Sequence, residues 1–310
     1  MDPTIHDGYK ALAYALGGLG RPIPLTREAI DQAVSRIKDP FTKRRFGLNM
    51  SIRLLVMEGD FAAASKLAQE LRAYVLTRSD VSEHAAATFL SAEVENESGH
   101  PERAAEIAKA FLDRREAWQF GPVVHDYALA DDLTPAILTF VHHTKGFSEA
   151  DYSSSLDAWR TRWNTGLRGD YRPYLWVYGH AAAVATKEDA ILAVKALPDY
   201  SPIPPFLPNG ALPRAPVGRT LWLAGQEEEG VAYLTQASRE CDIAIRPVMW
   251  IRSHAWLAEA LEKKGDVAGA CKELDVVLAH WGSARPRSIT GEAAHARSRA
   301  LGCPQPPVAK

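Results

Sequence analysis

Four glycines divide helix-like parts of the sequence at a fixed interval. Gly59 and Gly99 are 40 residues apart, and so are Gly225 and Gly265. Each lies between two stretches whose apolar residues recur every three to four positions, which is typical of α-helices. A reversal between two antiparallel helices needs a residue that tolerates a positive φ, and glycine does so without steric cost. The pattern therefore predicts α-helical hairpins with a period near forty residues.

The second helix of each predicted hairpin repeats a second pattern. A small residue follows each glycine by five positions, and apolar or small residues follow four and then three positions later. Steps of four and three keep these positions on one helical face. The first of the three positions holds Ala64, Ala104, Gly230 and Ala270. A small side chain there lets the two helices of a hairpin approach closely.

The last repeat resembles the tetratricopeptide pattern most closely. It carries Leu257, Ala258, Leu261, Gly265, Ala270 and Leu274. It departs from the strict pattern because Ala258 replaces the usual glycine, Leu261 replaces the usual tyrosine, and the closing proline is absent. We expect an all-α fold, a tetratricopeptide-like solenoid of α-α hairpins. An irregular α-helical domain is the alternative.

Composition and capping signals also favour helices. Alanine is abundant, and alternating runs of β-branched residues are rare, which favours helix over sheet. Asp80 with Glu83, and Thr186 with Asp189, have the spacing of a capping box at a helix start. Thr26 is a further N-cap candidate.

Prolines mark the expected domain boundary. Seven of them fall between positions 198 and 216, and a helix interior cannot accommodate such a run. The stretch is either an extended connector or a boundary between two sub-arrays. The expected organisation is an N-terminal helical array over 1–197, a connector over 198–215, tetratricopeptide-like repeats with a capping helix over 216–303, and a tail over 304–310.

Charge and cysteine content narrow the expected partners and location. The net charge is −2 with acids and bases mixed throughout, so no Lys/Arg-rich segment stands out and neither nucleic acid nor an anionic membrane is the expected partner. No signal peptide or apolar membrane span is recognised, so a cytoplasmic location is expected. The three cysteines, Cys241, Cys271 and Cys303, are odd in number and sparse, which argues against a disulfide framework. Cys271 is interpreted as a buried, inert thiol.

Three stretches within residues 117–303 resemble a known group of proteins. The stretches "SLDAWRTRW", "YRPYLWVYGHAAAVATKEDAILAVKALPDYSPIPPF" and "LAEALEKKGDVAGACKELDVVLAHWGSARPRSITGEAAHARSRALGC" are similar to the C-terminal repeat regions of myxobacterial-type serine/threonine protein kinases. The sequence has no Gly-rich phosphate loop, H-R-D catalytic loop or D-F-G motif. The resemblance therefore implies a bacterial, non-catalytic scaffolding or sensing region, with a linked or separate kinase domain as a partner.

Partner-binding candidates follow from the tetratricopeptide frame, in which the first helix of each pair lines a concave groove. We expect a protein or peptide segment to bind there through a few aromatic and arginine anchors. The candidates are Asn49, Arg53, Phe89, Glu93, Asn96, Arg219, Trp222, Arg252 and Glu259. Plain packing or solvated surface is the alternative at each position.

A second hypothesis is a small-molecule sensor. Residues 159–180 are the densest aromatic and arginine cluster, and a pocket lined by Trp163, Tyr174, Trp176 and His180 is predicted there. Packing of these aromatics against neighbouring helices is the alternative. No cofactor or metal is expected: His142 and His143 are adjacent, so their side chains point about 100° apart on a helix, and a place at a helix end explains them.

Overall fold

The computed structural model describes residues 23–78, 80–114, 132–144, 146–166, 172–203, 214–240 and 244–304. These residues form fourteen α-helices and two short 3-10 helices, with no β-strand among them. The predicted all-α class is confirmed. Consecutive helices pack together along much of the chain, as in the predicted hairpins.

The α-helices are named here in chain order. The first seven are α1 (Ile23–Arg36), α2 (Pro40–Glu58), α3 (Phe61–Val75), α4 (Val81–Glu97), α5 (Pro101–Leu112), α6 (Thr134–His143) and α7 (Glu149–Gly166). The last seven are α8 (Arg172–Gly179), α9 (Lys187–Ala196), α10 (Arg214–Leu223), α11 (Glu227–Ser238), α12 (Pro247–Lys263), α13 (Val267–Trp281) and α14 (Ile289–Leu301).

All four spaced glycines lie in left-handed turns between helices, as predicted. Their φ angles are 75° at Gly59, 82° at Gly99, 94° at Gly225 and 81° at Gly265. After each glycine, the next backbone N–H bonds back to a carbonyl five residues earlier, as Asp266 does to Leu261 at 2.9 Å. This bond is the signature of the Schellman motif, which ends a helix on a left-handed residue. The glycine spacing is therefore a spacing of helix ends.

Two of the three capping predictions are confirmed. Asp80 accepts hydrogen bonds from the backbone N–H groups of Ser82 and Glu83. Thr186 and Asp189 form a complete capping box at the start of α9. The prediction for Thr26 is wrong, because α1 begins at Ile23 and Thr26 lies buried inside it. Pro24 is the second residue of that helix, where a missing N–H breaks no intrahelical bond.

The chain divides into two compact units. Among the described residues, the first unit comprises those up to Tyr74, Glu97–Gly99, and those from Thr235 onward; the second comprises Val75–Asn96 and His100–Leu234. The predicted boundary at 198–215 stays a prediction, since 204–213 lie outside the described residues, as do the tail residues 305–310.

The first unit joins residues that are more than two hundred positions apart. The Trp281 indole N–H donates to the Val56 carbonyl at 2.7 Å, and its ring meets Phe61 edge-on at 5.4 Å between centroids. The Arg285 backbone N–H donates to the Gly59 carbonyl at 2.8 Å. The turn after α2 is thereby fixed against the end of α13.

The core of the second unit is rich in tryptophan. Trp159, Trp163 and Trp176 are each at most 2% exposed and belong to one cluster. Leu221 of α10 packs in the same cluster. Burial of such large rings gives this unit much of its apolar stabilisation. In the part of the chain that the structure describes, no helix is both long and apolar enough to cross a bilayer.

Candidate functional site

The nine partner-binding candidates are divided between the two units. The first unit holds Asn49, Arg53, Arg252 and Glu259, and the second holds Phe89, Glu93, Asn96, Arg219 and Trp222. Some of these candidates make contacts inside their unit, and others reach its surface.

Arg219 and Trp222 are two predicted anchors that the structure brings into contact. Both lie on α10, and the Arg219 guanidinium carbon is 5.1 Å from the centre of the Trp222 ring. The neighbouring residues Ala215–Gly218 and Thr220–Trp222 are buried, whereas Arg219 is partly exposed. Arg219 thus brings a positive charge to the surface of a largely buried helix, held over an aromatic face by a cation–π interaction.

Close packing of α10 on α11 fixes the position of Trp222. A Cβ added at Gly230 would lie 2.6 Å from the Trp222 backbone nitrogen, and one added at Gly218 would lie 2.8 Å from the Leu234 nitrogen. Only glycine fits such an approach. The prediction that the small residue at position 230 allows close approach of the two helices is confirmed, and it places Trp222 on a rigid hairpin.

The arginines of the first unit are engaged within the fold. Arg53 donates to the Ile245 carbonyl. Arg252 donates through Nε and Nη2 to the carboxylate of Glu97, whose side chain is fully buried. Asn49 and Glu259 are partly buried. Arg53 therefore connects α2 to the turn before α12, and Arg252 connects α12 to the end of α4, which are structural roles.

The candidates on α4 are also largely inside the protein. Glu93 is 7% exposed. Phe89 packs in the cluster of Val81 and Ile137 and lies 6.0 Å from the Phe140 ring centre. Asn96 is partly buried. Packing accounts for Phe89, and Glu93 lies inside the protein.

Three of the four residues predicted to line a ligand pocket belong to the core. The Trp163 indole N–H donates to Asp132 Oδ2 at 2.9 Å, and the Trp176 indole N–H donates to the Ala193 carbonyl at 2.7 Å. Tyr174 is 9% exposed in the same cluster. Their polar atoms and ring faces serve the packing of α7, α8 and α9.

His180, the fourth predicted pocket residue, has a different environment. Arg160 Nη2 lies 3.2 Å from His180 Nδ1. Because a guanidinium can only donate, Nδ1 must accept, and the ring proton is assigned to Nε2. Burial and the Arg160 charge lower the pKa of His180 to about 3, so the ring stays neutral. Its Nε2 atom is buried without a hydrogen-bond partner.

Tyr152 and His142 form a second group of titratable side chains in this unit. Burial and the charges of Asp189 and Glu149, opposed by Arg160, raise the pKa of Tyr152 to about 12. The His142 ring stacks on Tyr152 at 4.0 Å between centroids. His142 and His143 occupy the last turn of α6, as predicted. No group of three or more metal-ligating side chains occurs among the described residues.

The interpretation of Cys271 as an inert thiol, and the expectation of no disulfide, are wrong. Cys271 is bonded to Cys303, with 5.4 Å between their Cα atoms. The packing of α14 on α13 brings the two residues within the distance that a disulfide requires. Cys241 lies outside the described residues.

A basic, aromatic surface at the start of α2 contradicts the expectation that no Lys/Arg-rich segment stands out. Its signal was in the sequence: residues 36–45 contain five Lys and Arg residues against one Asp. We call Phe41, Lys43, Arg44, Arg45 and Tyr74, with Lys38, the basic surface. Within it, the Phe41 and Tyr74 rings stack at 5.0 Å, and the Arg44 guanidinium carbon lies 4.8 Å from the Tyr74 ring centre.

Comparison with protein-family models finds no match, and comparison with curated proteins finds no significant match. The function is therefore inferred from the geometry of the protein itself.

Proposed function

We propose that the protein is a non-catalytic helical-repeat module that binds a segment of a partner protein at α10, the first helix of the α10–α11 hairpin. The supporting observation is the contact between Arg219 and Trp222, which the sequence pattern selected independently as anchors. Arginine and tryptophan are among the residues that contribute most to protein interfaces. Arg219 is partly exposed, so a partner could contact its guanidinium directly.

The rigidity of the α10–α11 hairpin supports this assignment. Gly218 and Gly230 hold the two backbones in close contact, so the buried Trp222 ring is a rigid support over which Arg219 is presented with little freedom to rearrange. A pre-organised anchor loses less conformational entropy on binding than a mobile one. The hairpin is therefore suited to recognition of an extended or helical segment.

A tetratricopeptide-like architecture and a regulatory role beside a protein kinase are part of this proposal. They rest on the repeat pattern and on the resemblance of residues 117–303. We also propose a cytoplasmic location. The Cys271–Cys303 bond argues against it, because reducing compartments disfavour structural disulfides.

Affinity purification from the native cell tests the binding role. The wild type, Arg219→Glu and Arg239→Glu would be used as baits, with equal recovery and helicity verified by circular dichroism. Arg239 is an exposed arginine at the end of the same hairpin, so it matches the charge change. We expect at least one protein to be retained by the wild type and Arg239→Glu but reduced about ten-fold with Arg219→Glu. If no captured protein follows this pattern, the assignment is wrong.

A second candidate function, a small-molecule sensor, is favoured by one observation. The buried Nε2–H of His180 lacks an acceptor, and a buried donor without a partner is costly. A ligand that carries a carbonyl or carboxylate oxygen would satisfy it. A thermal-shift panel of such metabolites, run on the wild type and His180→Asn, tests this function. A ligand that raises the melting temperature of the wild type but not of the variant supports it; a flat panel argues against it.

A further inference from the structure

The basic surface of the first unit stands out against the charge of the whole protein. Residues 36–45 carry five positive charges and one negative charge, a net charge of +4, in a chain whose net charge is −2. Lys38, Lys43 and Arg44 are exposed, and Arg45 is partly exposed. The carboxylate of Asp39 caps α2, where it accepts a hydrogen bond from the Thr42 backbone N–H at 2.7 Å. The positive side chains therefore dominate what this surface presents to solvent.

Helix stability does not account for these cations. Lys43, Arg44 and Arg45 lie in the first two turns of α2, which has no acidic residue in its first turn. Positive side chains are unfavourable near the positive end of a helix macrodipole. The ion pair between Arg44 and Glu70 is exposed, with 57% and 44% of the two side chains accessible, and such pairs contribute little. Lys43 Nζ also donates to the Ser35 carbonyl at 3.4 Å, so local contacts hold part of this charge at the exposed surface.

Ring contacts organise the surface. Tyr74 of α3 stacks on Phe41 with an interplanar angle of 20°, and the Arg44 guanidinium lies against the same ring. These contacts restrict the Arg44 side chain before any partner arrives. Arg44 Nη2 already donates to Glu70 Oε1 at 2.9 Å, so a partner's carboxylate would share or replace this contact at a guanidinium suited to paired hydrogen bonds.

We propose that the basic surface binds an acidic segment of a partner protein. This inference deepens the proposed function by naming the chemistry of a partner, and it concerns a surface of the first unit that does not include Arg219 or Trp222. Carboxylates on an extended or helical segment would pair with Arg44, Arg45 and the neighbouring lysines. The opposite charges would also accelerate encounter of the two proteins.

An acidic peptide suits this surface better than a nucleic acid does. Single-stranded nucleic acids bind by stacking bases on open aromatic faces along a continuous basic groove. The Tyr74 ring is already in contact with Phe41 and Arg44. The five positive charges of residues 36–45 also span only ten residues, whereas a single strand needs a basic groove that follows its backbone over several nucleotides.

Fluorescence polarisation with the full chain tests the proposal. The probes are fluorescein-labelled peptides of ten glutamates and of ten lysines and a labelled dT20 oligonucleotide, at low and moderate salt. We expect the glutamate peptide to bind most tightly, with an affinity that falls as salt rises. The Arg44→Ala/Arg45→Ala variant should lose about ten-fold in affinity. Arg44→Lys/Arg45→Lys, which keeps the charge, should retain most of the binding.

The control variant is Lys264→Ala/Arg299→Ala. It removes two exposed positive charges from the same unit at a distant sequence position, and it should leave the affinity within about two-fold. Equal losses in the control and the Arg44/Arg45 variant, tighter binding of dT20, or no binding of the glutamate peptide would each overturn the proposal. Capture of a partner that depends on Arg219 but not on Arg44 and Arg45 would leave the proposed function standing and remove this inference alone.

Discussion

Arg252 Nε and Nη2 lie 2.9 and 2.7 Å from the same oxygen of Glu97, Oε2. The other oxygen, Oε1, accepts hydrogen bonds from the Ser288 hydroxyl at 2.6 Å and the Thr290 backbone N–H at 2.9 Å. A fully buried carboxylate thus joins the end of α4 to α12 and to the start of α14. Arg252, selected from the sequence as a partner-binding residue, is a structural residue here.

We expect Glu97→Ala to lower the free energy of unfolding by about 3 to 5 kcal/mol, because it leaves the largely buried Arg252 charge without its partner. Urea unfolding at pH 7 measures this loss. Arg27→Ala, which breaks the exposed pair of Arg27 and Glu58, is the control and should cost less than about 1 kcal/mol. Comparable losses in the two variants would contradict the role of Glu97.

Gly59→Ala and Gly265→Ala separate backbone strain from crowding. Both residues have a positive φ, which costs about 1 to 2 kcal/mol for a residue with a Cβ. At Gly265 the added Cβ meets nothing within 4 Å, whereas at Gly59 it would lie 3.0 Å from the His280 carbonyl oxygen. We expect Gly59→Ala to be the more destabilising by about 1 kcal/mol or more in urea unfolding. Equal destabilisation would show that the turn after α2 does not pack as described.

His180 makes stability depend on pH. Its folded pKa is lowered to about 3 from the usual 6.5, so between these pH values the unfolded state binds the extra proton. The contribution of the neutral His180 to the free energy of unfolding is therefore complete above pH 6.5. It falls as the pH decreases toward 3, by up to about 1.4 kcal/mol per pH unit.

The measurement is urea unfolding at several pH values between 4 and 7 for the wild type and His180→Asn. Asparagine keeps an acceptor for Arg160 but does not titrate. The variant should show a shallower dependence on pH, while other titrating groups contribute equally to both proteins. Parallel curves would refute a neutral, buried His180.

The Cys271–Cys303 disulfide should stabilise the protein by about 3 to 4 kcal/mol, since it closes a loop over a sequence separation of 32 residues. Reduction with dithiothreitol should lower the urea midpoint of the wild type but not that of Cys271→Ser/Cys303→Ser. The denatured, unreduced chain, which has three cysteines in total, should expose one thiol to a thiol reagent and three after reduction. Three free thiols before reduction would exclude the bond.

Local signals predicted much of the fold. The four glycine turns and the caps at Asp80 and Thr186 depend on a few neighbouring residues, so the sequence contains all the information that they require. The N-cap prediction for Thr26 was wrong because α1 already includes Ile23, three residues earlier. The tetratricopeptide-like solenoid stays a prediction.

The site was less predictable because its contacts are distant in sequence. Nothing near Glu97 indicates that Arg252, Ser288 and Thr290 will surround it. In the same way, the sequence around Trp163 and Trp176 is compatible with a ligand pocket. Only the packing of their helices shows that both side chains lie in the hydrophobic core. Arg219 and Trp222 were accessible to prediction because three positions on one helix place them side by side.

The contact between the Arg285 N–H and the Gly59 carbonyl joins residues that are synthesised at different times. A ribosome releases residues in order, at about 5 to 20 per second. The early helices α1 to α3 must therefore wait on the order of ten seconds or more before their packing partners in α12 and α13 emerge. During that interval the apolar faces that later pack on α12 and α13 are exposed to solvent. We expect nascent-chain chaperones to bind this part of the polypeptide.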